Sequence, residues 1–285
     1  MLGIDMEDMR AEWRRGSARS LRRHELPEWV SGLLIAGAFL WLAWQEKRRP
    51  LRAPTQSKKR RLARNLAVAA FGAATLAVVE RPVVGPLARF VERKRWGLAR
   101  LPSPVAMPLA IALLDYTLYL WHVLTHRVPL LWRFHLVHHA DLDLDVSTAL
   151  RLHFGELAIS VAFRAAQVVV LGVAPLPLSV WQTLLLLSIL FHHSNMRIDP
   201  HLESSFARFI VTPRLHGIHH TASFDDTDSN WSSGLTLWDR LHGTLRSRQS
   251  GLPIGLPVYP EDVALREALA LPFMRQRASF PRLLP

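Results

Sequence analysis

Four groups of histidine stand out in a 285-residue chain that has no cysteine: His122-Val-Leu-Thr-His126, His135-Leu-Val-His138-His139, His192-His193-Ser194-Asn195 and His216-Gly-Ile-His219-His220. On a helix, residues three and four apart share a face, so His122 projects with His126, and His135 with His138 and His139. Adjacent helical residues diverge by about 100°, so His138 and His139 can each serve a different ion. Two HxxHH boxes brought together therefore suit a two-metal centre better than a single site. A shell of imidazoles favours iron, zinc or copper over magnesium or calcium. A satisfied core or interfacial histidine is the plainer reading for His24 or His201 standing alone, but chance seldom produces HxxHH twice together with HxxxH. Without cysteine, iron–sulfur clusters, haem-thiolate iron, Cys-zinc sites, disulfides and thiol nucleophiles are all excluded.

The elements that must position these groups are apolar. With 49% hydrophobic residues and a positive mean hydropathy, the chain is too hydrophobic for an ordinary soluble domain. The net charge of +12 sits beside apolar segments with no nucleic-acid motif, and reads as membrane-flanking charge rather than a nucleic-acid footprint. The run 29–44, bounded by tryptophans, predicts a slightly short first span; 66–79, ending at Glu80-Arg81-Pro82, is the weakest candidate; 101–121 leads directly into His122. From 165 to 191 no charge appears, and Pro175 and Pro177 divide a helical hairpin that begins near Leu157. Both hairpin ends then lie on one membrane side, next to histidines. The segment 47–64 holds nine basic and no acidic residues, which marks it as cytoplasmic and carries the clustered histidines to the same face. The N-terminus is mixed in charge and lacks an apolar h-region, so a cleaved signal peptide is not expected. The fold expected is all-α, an integral membrane helical bundle with a cytoplasmic-side, histidine-rich helical cap. Its divisions would be 1–100 (basic, one or two spans), 101–250 (catalytic) and 251–285 (a C-terminal tail).

The order HxxxH, HxxHH, His-Ser-Asn, HxxHH resembles the fatty acid hydroxylase/sterol desaturase superfamily. So does the text around the boxes: Asp115-Tyr-Thr-Leu-Tyr119-Leu-Trp-His122, Leu131-Trp-Arg-Phe-His135, Thr148-Ala-Leu-Arg151-Leu-His153-Phe-Gly-Glu156, Val211-Thr-Pro-Arg-Leu-His216, and Asn230 through Trp238-Asp239-Arg240-Leu-His242-Gly243-Thr244. The likeness covers about residues 105 to 246, and it departs at His242, where that family usually has an aromatic.

That resemblance implies metal ligands, and hence the catalytic equipment, at His122, His126, His135, His138, His139, His193, His216, His219 and His220. His192 stands where relatives commonly carry another polar residue and is left out. A tenth ligand is expected at His153, or as a water held by Asn195. Asp115, inside an apolar span seven residues before His122, is expected to accept from an imidazole and orient it; Tyr119 shares that face. Arg133, Arg151 and Arg214 are candidate partners for Glu156 or for Asp141, Asp143 and Asp145, although a solvated loop is the default reading of that acidic run. The family further implies two iron ions that activate dioxygen for attack on a C–H bond of a fatty acyl chain, sterol or similar lipid, by hydroxylation or desaturation. No nucleotide-binding loop is visible, so electrons come from a separate ferredoxin- or cytochrome-type donor, and the expected location is the inner (plasma) membrane. The rival readings are a zinc-dependent membrane hydrolase, with Glu156 as its base, and a non-catalytic metal-binding or transport protein.

Overall fold

The computed structural model describes residues 25–247 and 253–275; His24 and the N-terminal leader question fall outside them. Among these residues the secondary structure is helical, with three isolated β-bridges, Pro50–Met196, Ile210–Leu235 and Thr221–Ile254, and no strand. Helix α1 is Glu28–Arg48. Helix α2 (Lys58–Thr75) passes through a π-helical turn, Leu76–Glu80, into α3 (Arg81–Arg93). Then come α4 (Ser103–Arg127), α5 (Pro129–His139), α6 (Phe154–Leu171) and α7 (Pro175–His193). Five short helices follow: α8 (Pro200–Phe206), α9 (Pro213–His219), α10 (Phe224–Thr227), α11 (Leu237–Leu241) and α12 (Leu265–Ala270).

Four stretches are long and apolar enough to cross a bilayer: Lys58–Arg100, Ser103–Arg127, Phe154–Leu171 and Pro175–His193. The chain is an integral membrane protein with an all-helical bundle. One expectation about the early spans changes. Glu80-Arg81-Pro82 does not end its helix, because a π turn, Leu76–Glu80, lies just before the proline and absorbs the irregularity inside a continuous helical stretch. Glu80 is made tolerable there by Arg164 (2.9 Å) and Gln182 (3.1 Å). Helix α1 forms over the expected first span, though it is not among the four; it lies along α7, tied by Leu26 to Ser179, Ser31 to Thr183 and Glu46 to Asn195.

Punctuation by proline and glycine sets the direction of each rod. Val128 before Pro129 and Ala174 before Pro175 are extended, the conformation a following proline favours, so α4 breaks cleanly into α5 and α6 into α7. Gly172 ends α6 with φ +72° and lies against Trp96 O and Gly97, where no β-carbon fits. The links Trp96 Nε1–Val169 O and Ala99 N–Gly172 O mark one end of the bundle. At the other end α2 starts, α4 and α7 finish, and all the clustered histidines gather. The membrane core packs Val84, Ala88 and Val91 of α3 against Leu114, Val161, Val168 and Trp181. A second core joins Trp132, Leu136 and Val137 of α5 to Leu256, Tyr259, Val263 and Leu271. The stretch expected to be a C-terminal tail, over its described residues 253–275, is thus packed against a histidine box.

Candidate metal centre

Nine imidazoles converge at that end in two buried groups. His122, His126, His135, His139 and His219 offer nitrogens that all lie within 4.8 Å of one another; so do His138, His193, His216 and His220. The adjacent residues of each HxxHH box part company. His138 and His139 have rings 89° apart and enter different groups; so do His219 and His220, 83° apart. The groups touch where the His139 and His220 rings stack with centroids 4.3 Å apart.

Hydrogen bonds on the outer nitrogens orient the rings. His122 Nδ1 donates to Trp231 O (2.7 Å), His219 Nδ1 to Ser229 O (2.8 Å), and His193 Nδ1 to Ile189 O (2.9 Å). His135 Nδ1 donates to Glu156 Oε1 (2.9 Å). Each bond places the proton on Nδ1 and leaves Nε2 as a bare lone pair facing inward, the arrangement that metal-binding histidines need.

Whether these side chains fit a metal is decided by the nitrogens that the protein leaves without a partner. Nε2 of His135, His139 and His219, Nδ1 of His138, His216 and His220, and both nitrogens of His126 are buried without a hydrogen-bond partner. In the second group, Nε2 of His193 lies 2.9 Å from that of His138 and 3.1 Å from that of His216, which is 3.1 Å from that of His220. With its proton committed to Ile189, His193 can accept from only one of these neighbours. Facing lone pairs at such distances repel unless a cation lies among them. Unsatisfied buried nitrogens are costly, and this many in one place fit bound metal.

Electrostatics agree. Burial first, then the neighbouring imidazoles, push His138, His139, His216 and His220 well below the ordinary histidine range, and burial holds His219 down to about 3. Neutral imidazole is the ligating form.

Several expected roles are relocated. His153 stands outside both groups: its Nδ1 accepts from Gly155 N (2.9 Å), capping α6, and its Nε2 donates to Leu269 O (3.2 Å), so no lone pair is left for an ion. Asn195 holds the α1–α2 loop rather than a water, accepting from Arg52 N (2.9 Å) and donating to Arg52 O (2.8 Å). Asp115 touches no imidazole; it accepts from Leu235 N (3.0 Å) and Trp238 Nε1 (2.7 Å) and crowds Gly234 so closely that a β-carbon there would collide. It thereby anchors the loop whose Trp231 carbonyl holds His122. Tyr119 reaches Thr244 (3.2 Å) and stacks on His242 (4.9 Å). His192 is buried, with Nδ1 on Ser233 O (3.1 Å), and belongs to neither group.

The acidic run is not a solvated loop. Asp141, Asp143 and Asp145 are buried around Arg61 of α2, which bonds Asp141 through Nε (2.9 Å) and Nη2 (2.8 Å) and Asp145 through Nη1 (2.7 Å). Arg64 adds contacts to Asp141 and Asp262. Although burial alone would raise it, bonding to Arg61 brings the Asp141 carboxyl down to about 2. Of the three arginines expected to serve here or at Glu156, Arg133 goes to Pro272 O and Met274 O and Arg214 to Glu203, while Arg151 bonds Val137 O and Asn65 and acts on Asp141 by charge. Arg151 acts on the box even so, since Val137 precedes His138. Sequence reasoning missed Arg61, Arg64 and Asn65, which lie in the basic stretch assigned to membrane flanking.

Residues 107–244 match the family model described as fatty acid hydroxylase. The chain is 32% identical over 180 residues to ornithine lipid hydroxylase of Rhizobium tropici, covering 61% of this chain and 52% of that protein. It is 26% identical over 170 residues to human alkylglycerol monooxygenase (57% and 36%) and 29% identical over 147 residues to mouse cholesterol 25-hydroxylase (49% and 46%). The chain spans about half or less of the length of these curated relatives. No solved structure matches.

Proposed function

From the match of residues 107–244 to the family model described as fatty acid hydroxylase, we propose that this chain is a di-iron oxygenase that hydroxylates a C–H bond of a membrane lipid. The observation that carries the proposal is the pair of converging histidine groups with buried, unpartnered nitrogens. His122, His126, His135, His139 and His219 would hold one iron; His138, His193, His216 and His220 would hold the other. Two such ions supply activation of dioxygen and the oxidising power to break an unactivated C–H bond. The chain's own residues do the rest. Backbone carbonyls of Trp231, Ser229 and Ile189 and the Glu156 carboxylate keep protons on the outer nitrogens. The surrounding helices bury the imidazoles, which limits water near the oxidising centre.

Relatives named for hydroxylation of ornithine lipid and cholesterol, and for alkylglycerol monooxygenation, favour hydroxylation over desaturation and a membrane-resident substrate. Electrons come from a separate ferredoxin- or cytochrome-type protein, and the basic stretch at 47–64, at the histidine end of the bundle, supplies charge to receive an acidic donor. The same stretch argues for the inner membrane with the histidines on the cytoplasmic side. A zinc hydrolase is less well served: Glu156, the carboxylate that reading needs as a base, has one oxygen on His135. Nine clustered imidazoles also exceed what one tetrahedral zinc takes. Comparative lipid mass spectrometry of cells with and without the protein tests the proposal. A lipid gaining one oxygen atom only in its presence supports it; unchanged lipids, with iron and an electron donor supplied, refute it.

A further inference from the structure

Helices α8 and α11 and the residues just after α8 carry apolar side chains that no part of the described chain covers. Leu202 and Phe206 of α8, Phe209 and Ile210 after it, and Leu237 and Leu241 of α11 are all exposed, Phe209 by 71% and Leu241 by 67%. They form one surface, because α8 and α11 are joined by the Ile210–Leu235 bridge, by Thr236 N to Phe209 O (3.1 Å), and by Arg240 Nη2 to Ala207 O (3.0 Å). Six large apolar groups together are not expected on a water-facing cap.

The height of this surface follows from what holds it. Trp238 Nε1 bonds Asp115 (2.7 Å), and Asp115 lies seven residues before His122 inside the span Ser103–Arg127. At 1.5 Å per residue that is about 10 Å down the helix from the histidines. On the opposite side, Ser188, five residues before His193 inside the span Pro175–His193, donates to Ser233 O (2.6 Å). The loop bearing α11 is therefore fastened to two membrane spans below the level of the metal groups, on the bilayer side.

Charge in the two segments agrees with that height. Across 200–210 and 235–241 the acidic residues are Glu203 and Asp239, both buried, while the exposed arginines are Arg208 and Arg240. An apolar face edged by arginines is the pattern of an element lying in the membrane interface, where long cations reach up to lipid headgroups.

We propose that α8 and α11 form a monotopic foot. Its apolar face, Leu202, Phe206, Phe209, Ile210, Leu237 and Leu241, sits among the acyl chains of the leaflet next to the histidine centre, and Arg208 and Arg240 meet the headgroups. The partner is the bilayer itself. This rests on the spans and not on the proposed oxygenase activity, so it stands or falls separately from that reading.

The chain has no cysteine, so single-cysteine variants of the full-length protein report without background. The test reconstitutes Phe209→Cys, Leu237→Cys and Leu241→Cys in phosphatidylcholine/phosphatidylglycerol vesicles and labels each with an environment-sensitive fluorophore. Leu184→Cys, exposed on α7, is the in-membrane control, and Glu261→Cys, exposed in the C-terminal segment, the aqueous one. The foot predicts blue-shifted emission at all three sites, and quenching by shallow nitroxide lipids about threefold or more above the Glu261 control, as expected for side chains buried roughly 5–10 Å below the headgroups. Emission and iodide quenching equal to the Glu261 control at the three sites would overturn the proposal. Three positions on two segments keep the test decisive if one variant does not fold.

Discussion

Two clusters of polar side chains lie buried side by side at the histidine end of the bundle, and they are completed in opposite ways. Around Arg61 every negative charge has a partner of opposite sign: Asp141 and Asp145 bond its guanidinium directly, and Asp143 lies 3.9 Å from it while accepting Thr55 and Gln56 N–H groups at 2.9 Å. Among the nine histidines there is one carboxylate contact, His135 to Glu156, and eight buried imidazole nitrogens lack any partner. In the first cluster Arg61 and the three carboxylates are partnered by protein alone, although Arg64 Nε and Nη2 and Arg151 Nη2 beside them have no hydrogen-bond partner, and its work is to hold the segment after His139 and the start of α2 together. The second is finished only by something positive from outside. Burial depth is similar in both, so burial does not mark a functional centre; a convergence of unpartnered imidazole nitrogens with no counter-charge does.

The contrast can be broken from either side. Replacing a ligand should have the largest effect: His138→Ala or His219→Ala is expected to abolish lipid hydroxylation and lower bound metal, while membrane insertion stays intact because the spans do not use these side chains. Product mass spectrometry and metal analysis on detergent-purified protein read both quantities. Next in size is Arg61→Met, which strands three buried aspartates. Breaking one side of a buried ion pair costs about 3–5 kcal/mol, so unfolding in detergent should shift strongly downward, with metal loss following as a consequence. Full stability in that variant would show that the network is dispensable.

Smaller effects sharpen the account. Glu156→Gln keeps the shape but weakens the acceptor behind His135, and such partners typically change metal affinity or activity by about 10–100-fold. His153→Gln should leave metal content unchanged, because that ring caps α6, and losing the cap costs about 1 kcal/mol. Loss of an iron from His153→Gln would return His153 to the ligand set. The mildest effect is acid sensitivity. Asp141 folds with a carboxyl at about 2, against about 3.9 for a free one. A depressed carboxylate adds stability above the unfolded value and loses it as pH falls through the folded one, so this contribution should fade between about pH 4 and 2. In Arg61→Met that part of the profile should flatten.

What could be read in the sequence follows from which contacts are local. Faces of helices are local, so His122 with His126, and the divergence of His138 from His139, were available from spacing, as were the proline breaks before α5 and α7. Partners across the chain are not. Arg61 meets Asp141 across 80 residues and looked like one more flanking cation. Asp115 lies on the helix that carries His122, yet its acceptor oxygen is claimed by Trp238 from 123 residues away. His153 and Asn195 carry the right chemistry for the expected roles, but each spends its nitrogens or oxygen on a neighbouring backbone group that periodicity cannot locate. Glu80-Arg81-Pro82 reads as a stop, and only the positions of Arg164 and Gln182 on other spans show why it is not.

The central claim, that two metal nests are built from one set of nine histidines, is tested most directly by counting the metal and identifying it. Protein purified under reducing, iron-replete conditions should contain about two irons per chain, as the two ligand groups require, and His219→Ala should lower that count without altering membrane insertion. A single tightly bound zinc per chain, or two irons retained unchanged in His219→Ala, would contradict it.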